Sequence, residues 1–368
     1  MKVLHICSYY IGSKLYRNLI LNLEVLGIEN NVYIPVSSSE LIGINDSKDF
    51  KKTNLIYSNS FKNIDRLNFK VKSKKMYKNL LKEIDFENLD IIHAHSLFTN
   101  GYLAYRLKKE KNIDYIVAIR NTDINIFFRY MPHMRKLGLE IMNNAKKVIF
   151  ISQPYKDYFI EKYAKYSEHT LLSDKIEVIP NGIDSFWFNN MNSSKKTKKL
   201  KLLYVGTLNK NKNIISIIKA VNKLRQKGYK LELEIVGDGP YYKKIDKRIK
   251  KHKEYIHLNG KLNSKELLEK YRECNIFVMP SKYETFGLVY VEALTQGLPV
   301  IYTKGQGFDG IYEDGNVGYS VEYGNLLDLT NSIEKLINED IELDKYKKDL
   351  KEKFMWINIA KKYYKLYN

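Results

Sequence analysis

Strand-like apolar runs alternate with amphipathic helical runs along this chain, and the alternation restarts once, near residue 200. Short runs that are apolar throughout must be covered on both faces, which calls for parallel sheets with crossover helices rather than hairpins. In the first half the expected strands are Val3–Cys7, Glu29–Ile34, Ile91–Ala94, Tyr115–Ala118 and Lys147–Ile151. The pattern pauses between Glu177 and Asp184, and the lysine-rich stretch Asn192–Lys199 has no hydrophobic period, as a linker would. A fresh cycle runs through Leu202–Gly206, Leu231–Val236, Ile256–Leu258, Ile276–Met279, Pro299–Tyr302 and Gly318–Val321. A length of 368 residues suits two domains of ordinary size. The expected division is 1–190 and 191–352, with 353–368 as a terminal apolar helix that no strand follows.

The totals narrow the class. Apolar residues make up 44% and charged residues 28%, as in globular proteins, and no apolar run is long enough to span a bilayer. The opening Met1–Cys7 is too short for a signal peptide and reads as a first strand. Cys7 and Cys274 both fall in strand-like segments, so free thiols in a reducing cytoplasm are expected. The net charge of +20 fits either a compositional bias toward lysine or an anionic partner, such as a membrane surface or a phosphorylated substrate. No helix-turn-helix, zinc or RNA-binding signature points to nucleic acid.

One stretch in the second half carries chemistry. Glu284 and Glu292 flank Thr285-Phe286-Gly287-Leu288, with a buried strand before them and a helix from Leu288 to Gln296 after. Glu284 then lies at the carboxyl end of a strand, where open α/β sheets bind ligands. The amides of Phe286, Gly287 and Leu288 crown a helix N-terminus, which favours a phosphate. A carboxylate beside a phosphate is suited to sugar hydroxyls, so the pair suggests a sugar linked to a phosphate.

Three further strand-end loops belong to the same half. Gly206-Thr207-Leu208 leads to Lys210 and Lys212, where a lysine can neutralise phosphate or simply be solvated. Val236-Gly237-Asp238-Gly239-Pro240 reads as a structural turn with Asp238 capping, and Asn259-Gly260-Lys261-Leu262 as a turn that can offer backbone to a nucleobase. In the first half, Gly12 follows strand one and could admit a substrate close to the main chain. Only one of His93 and His95 is expected to face a cleft. No spacing resembles a divalent-metal cage, a P-loop, a dinucleotide fingerprint or a hydrolase elbow.

Taken in order, Val178-Ile179-Pro180-Asn181-Gly182-Ile183-Asp184, Val205-Gly206-Thr207-Leu208 with Lys212, Val236 to Pro240 and the Glu284–Glu292 pair resemble the retaining, nucleotide-sugar-dependent glycosyltransferases of family 4. The resemblance covers nearly the whole chain and is densest from Val178 to Tyr323. It implies the GT-B fold: two Rossmann-like doubly wound domains facing a central cleft, with a C-terminal helix around Trp356 crossing back to the N-terminal domain. It also implies that Glu284 contacts the donor sugar, Glu292 the ribose, and Phe286, Gly287 and Leu288 the sugar and diphosphate. Gly206, Thr207 and Lys212 would line the diphosphate, Leu262 the base, and Gly12, His95, Arg120 and Asp123 the acceptor side.

Two positions depart from the family. Thr207 stands where an arginine often follows the glycine, and Arg120 where a histidine is common. The implied activity is retaining transfer of a sugar from a nucleotide sugar, with a UDP-sugar as the expected donor and without metal or other cofactor. The acceptor is a glycan or a polyprenyl-diphosphate-linked saccharide of cell-surface polysaccharide synthesis. The segment Ile126–Met131 could rest on the inner face of an anionic membrane or be core helix. Two alternatives stay open: a GT-B nucleotide-sugar epimerase, and a catalytically weak nucleotide-sugar-binding partner protein.

Overall fold

A computed structural model describes residues 1–163, 174–193 and 200–368, so the expected linker lies outside the described residues from position 194 onward. The chain divides into two compact units, Met1–Gly182 with Trp356–Asn368, and Ile183–Met355. Among the described residues every strand pairing is parallel.

The first unit holds β1 (Lys2–Ile6), β2 (Glu29–Val36), β3 (Thr53–Asn59), β4 (Ile91–Ala94), β5 (Tyr115–Ala118), β6 (Lys147–Phe150) and β7 (Ile176–Val178). Their order is β3-β2-β1-β4-β5-β6-β7, which reverses between β1 and β4. Five of these strands match the apolar runs. The edge strands β3 and β7 do not: Thr53-Asn54-Leu55-Ile56-Tyr57-Ser58-Asn59 is largely polar, and Ile176-Glu177-Val178 has only three residues. An edge strand has one neighbour and is partly wet, so it needs no continuous apolar run.

Alternation along β1 sends Val3 to one face and Leu4 and Ile6 to the other. The Val3 face is covered by helix Lys14–Val25 and by the last helix, Trp356–Tyr367. Trp356, Ile359, Ala360 and Tyr363 are buried there. Each large side chain so buried contributes about 1.5–3 kcal/mol. That explains an apolar helix that no strand follows.

The second unit holds β8 (Leu200–Val205), β9 (Leu231–Val236), β10 (Ile256–Leu258), β11 (Ile276–Val278), β12 (Val300–Thr303) and β13 (Gly318–Val321), in the order β10-β9-β8-β11-β12-β13. All six strands fall on the expected runs. Helix Ser185–Asn189 also belongs to this unit. Asp184 caps it by accepting from the Phe186 amide at 2.9 Å, and Trp187 meets the Tyr271 ring edge-on at 5.4 Å. Cys7 and Cys274 are free and buried.

Candidate functional site

In the second unit the strand order reverses between β8 and β11, so the loops after these two strands open beside each other at the carboxyl edge. Asn211 ties them together. Its side-chain amide donates to the Tyr283 carbonyl at 2.8 Å, its Oδ1 accepts from the Tyr283 amide at 3.0 Å, and its carbonyl accepts from the Lys282 amide at 2.8 Å. The loop after β12 adds a third tether. Gln306 Oε1 accepts from the Glu284 amide at 2.9 Å, and the Gly307 amide donates to the Glu284 carbonyl at 2.7 Å. Gly307 is required because a Cβ there would lie 1.9 Å from the Thr285 carbonyl oxygen.

This frame brings Lys212 and Glu284 into a direct, half-buried ion pair. The helix after the loop runs Leu288–Thr295 and starts from Gly287 at φ 79°. A Cβ on Gly287 would lie 2.4 Å from the Tyr290 ring, so glycine is needed for space as well as backbone. Among the described residues no hydrogen bond reaches the amides of Phe286, Gly287 or Leu288. Donors left open at a helix N-terminus beside an ammonium form an anion-binding cradle, and Glu284 places a carboxylate at its rim.

Glu292 lies on the same helix, half-buried, and accepts from the Tyr271 hydroxyl at 3.2 Å. Burial raises its carboxyl to about 7, opposed by the Tyr271 hydrogen bond and reinforced by the negative charge of Asp184. Gly206 and Leu262 are half-buried at their strand ends. Thr207 and Lys210 are exposed, and the Thr207 carbonyl accepts from the Tyr204 hydroxyl at 3.0 Å. Gly237 and Gly239 press on the loop after β8, where a Cβ on Gly237 would meet the Gly206 carbonyl at 2.0 Å. Asp238 differs from expectation: its side chain accepts from the next amide, Gly239, at 2.7 Å, its carbonyl accepts from the Leu208 amide at 2.9 Å, and the following helix starts from Tyr241 with no side-chain cap. A concavity lined by Leu200, Asn275, Pro299 and Glu339 opens at the opposite, amino edge of the sheet, away from these loops.

The first unit gathers a different set at its own reversal point. His93 and His95 were expected to part, one toward a cleft and one inward, and this is corrected. Residues two apart on a strand share a face, and both rings are fully buried and stacked at 3.9 Å. Because β1 and β4 pair with His5 opposite His93, a third buried imidazole joins them. His5 Nδ1 lies 3.0 Å from His95 Nε2, His5 Nε2 lies 3.0 Å from Asn30 Oδ1, and His93 Nδ1 lies 2.8 Å from the Tyr367 hydroxyl. Burial lowers His5 to about 4 and the other two well below the usual histidine range, helped by their neighbours and by Arg120. The set is therefore neutral. Ring nitrogens of the three lie within 4.8 Å of one another, but both of His5, one of His93 and one of His95 already have hydrogen-bond partners, which suits a hydrogen-bonded chain better than a metal centre.

Arg120 is half-buried beside this chain, its Nε donating to the His95 carbonyl at 3.0 Å and its guanidinium 5.5 Å from the Tyr16 ring centre. Asp123 is enclosed and accepts from the amides of Leu97, Phe98 and Arg120 at 3.0, 3.2 and 2.8 Å. Burial raises its carboxyl to about 6 against these bonds. Gly12 is exposed at the end of a short 3₁₀ turn, with open space where a Cβ would stand. His95 and Asp123 are thus both buried and both bonded to Arg120. Sequence reasoning missed His5, although the His-x-His of the adjacent strand was its signal.

With this geometry, the profile of "Glycosyl transferases group 1" matches residues 185–353 and that of "Glycosyltransferase Family 4" matches residues 40–185. An uncharacterized glycosyltransferase of Methanocaldococcus jannaschii is 28% identical over 325 residues, covering 85% of this chain and 83% of that protein. Among solved structures, sucrose-phosphate synthase of Thermosynechococcus elongatus superposes with a TM-score of 0.80 at 18% identity, over 100% of this chain and 98% of that one. Anabaena HepE, solved in complex with UDP-glucose, superposes with a TM-score of 0.71 at 15% identity, over 99% and 98%. Likeness at these identities is a likeness of fold.

Proposed function

The chain is a glycosyltransferase of family 4 with the GT-B fold, and from that premise we propose that it transfers a hexose from a UDP-sugar with retention at the anomeric carbon. The acceptor in this reading is a glycan or lipid-linked saccharide of the cell surface. The observation that carries the donor half is the set of open amides at Phe286, Gly287 and Leu288 beside the Lys212–Glu284 pair. UDP-glucose in the structurally similar HepE supports UDP as the donor nucleotide.

The ion pair gives the donor site a defined first step. In the free protein Glu284 is the counterion of Lys212. A diphosphate entering the cradle takes over the ammonium and the open amides, which releases the Glu284 carboxylate to accept hydrogen bonds from the sugar hydroxyls. Glu292 accepts from the ribose, Leu262 meets the base, and Gly206 and Thr207 let the chain approach the diphosphate. As the sugar–phosphate bond lengthens, the cradle stabilises the leaving diphosphate, and a leaving-group oxygen takes the proton of the incoming hydroxyl on the same face. Charge stabilisation by fixed donors then supplies most of the acceleration, and no resident metal is needed for it. Gly12 and Arg120 are assigned to the acceptor, with His95 and Asp123 as positioning residues.

The test is transfer by Glu284→Ala, with the anomeric configuration of the wild-type product read by NMR. The expected result is a retained α-linkage and a loss of about two to three orders of magnitude in kcat for the variant. Wild-type turnover by the variant, or an inverted product, overturns the reading.

A further inference from the structure

The 3₁₀ turn Asn63–Leu67 and the first turns of helix Phe69–Glu83 take no part in either strand-end cluster. Three aliphatic side chains nevertheless protrude there: Leu67 is 84% exposed, Ile64 67% and Val71 42%. Phe69, lying between them in sequence, turns inward and meets the Phe127 ring at 6.2 Å. That contact brings the segment 126–130 alongside, where Tyr130 is 70% and Ile126 50% exposed. Single exposed apolar residues need no explanation, but a contiguous group marks a contact surface.

The charge around the group is one-sided. From Lys62 to Lys82 there are eight lysines and arginines and one acid, Asp65, which Lys75 already holds at 2.7 Å. Arg66 and Lys72 lie over the same ring, that of Phe61, at 5.6 and 4.9 Å from its centre. Among the described residues neither has a carboxylate partner. Burial, with Arg66 beside it, lowers the Lys72 ammonium to about 8, so an anion there would relieve both cations.

Crowded cations rimming bare aliphatic side chains require negative charge backed by hydrocarbon. A nucleic acid supplies the charge but leaves Leu67 and Ile64 unburied. A second copy of this face would set like charges against each other. We propose that this surface docks on an anionic lipid bilayer, with Ile64, Leu67 and Val71 entering the headgroup–acyl boundary and the surrounding lysines set against lipid phosphates. The inference stands on this surface alone and does not depend on which sugar is transferred or to what.

Flotation of the full chain with two vesicle types tests it, one of phosphatidylcholine alone and one containing about one-third phosphatidylglycerol. The expected result is binding to the anionic vesicles at least about tenfold stronger than to the neutral ones, weakened by salt. Leu67→Glu and Lys70→Glu/Lys74→Glu should each reduce that binding about tenfold with circular dichroism unchanged. Lys243→Glu/Lys247→Glu, on the exposed lysine face of helix Tyr242–Ile249 in the second unit, should leave it unchanged. Equal binding to both vesicle types overturns the proposal. So does an equal loss in the Lys243/Lys247 variant, which would make the effect one of net charge. Formation of a stoichiometric complex between copies through Leu67, with no vesicle binding, overturns it as well.

Discussion

The two units end their parallel strands in opposite ways. At the carboxyl edge of the second sheet, among the described residues, the amides of Phe286, Gly287 and Leu288 have no hydrogen-bond partner, and the ion pair of Lys212 with Glu284 that joins two loops is half-buried. At the carboxyl edge of the first sheet, His5 bonds to His95 and Asn30, Asp123 accepts from main-chain amides, and the half-buried Arg120 donates to the His95 carbonyl. The second sheet's edge is a site with vacant donors. The first sheet's edge is a scaffold that holds one cation. In the proposed reading an anion binds where donors are vacant, and the first sheet's edge selects by the position of a single guanidinium.

The largest effect that would sharpen this contrast is Lys212→Ala. It removes the cradle's ammonium and leaves Glu284 to repel a diphosphate, so kcat/KM for the donor should fall by about 10²–10³. A fall below about tenfold breaks the contrast, because the amides alone would then carry the site. Gly287→Ala comes next. It adds a side chain at φ 79° and drives a Cβ to 2.4 Å from the Tyr290 ring. The second unit should lose about 1–3 kcal/mol in denaturant unfolding, and donor binding should fall with it.

How much of this was legible in the sequence follows from what each edge is made of. The second edge is built from consecutive residues, so Thr285-Phe286-Gly287-Leu288 and Gly206-Thr207-Leu208 announce it locally. The ion pair was not legible, because the tethers of Asn211 and Gln306 set it across three loops far apart in sequence. The first edge is built from register. His5 meets His93 only because β1 and β4 pair as they do, and nothing near residue 5 foretells that. The polar edge strand β3 and the protruding Ile64 and Leu67 were missed for a related reason: hydrophobic periodicity reports burial, and these residues are partly or wholly wet. The segment Ile126–Met131 divides between the two readings given to it, with Phe128 in the core and Ile126 and Tyr130 outside.

Arg120→Ala tests the first edge. It should raise the acceptor KM about tenfold while leaving the donor Kd unchanged, since Arg120 belongs to the other unit. A change in donor affinity of the same size would mean the edges do not divide the labour. The pH dependence of stability probes Glu292. Its carboxyl is raised to about 7 in the folded chain from an ordinary value of 4.5, so the folded state binds the extra proton. Its contribution is full below about 4.5 and is lost as pH rises through about 7. Glu292→Gln should flatten that part of the decline, as read by urea unfolding at several pH values. Lys210→Ala should have the smallest effect. Lys210 is exposed, and stability should stay within about 0.5 kcal/mol. A large loss of donor binding in this variant would identify Lys210 as the second cation that Thr207 does not supply.

Calorimetric titration of UDP into the wild type, Glu284→Gln and Lys212→Ala tests most directly whether Lys212 exchanges one anion for another. Removing the competing carboxylate should tighten UDP binding several-fold in Glu284→Gln, while Lys212→Ala should weaken it by about 2 kcal/mol or more. Opposite shifts from the two halves of one ion pair are the expected result. Weaker binding in both variants would contradict the exchange, and equal UDP affinity in all three proteins would contradict it and remove the donor site from the Lys212–Glu284 pair.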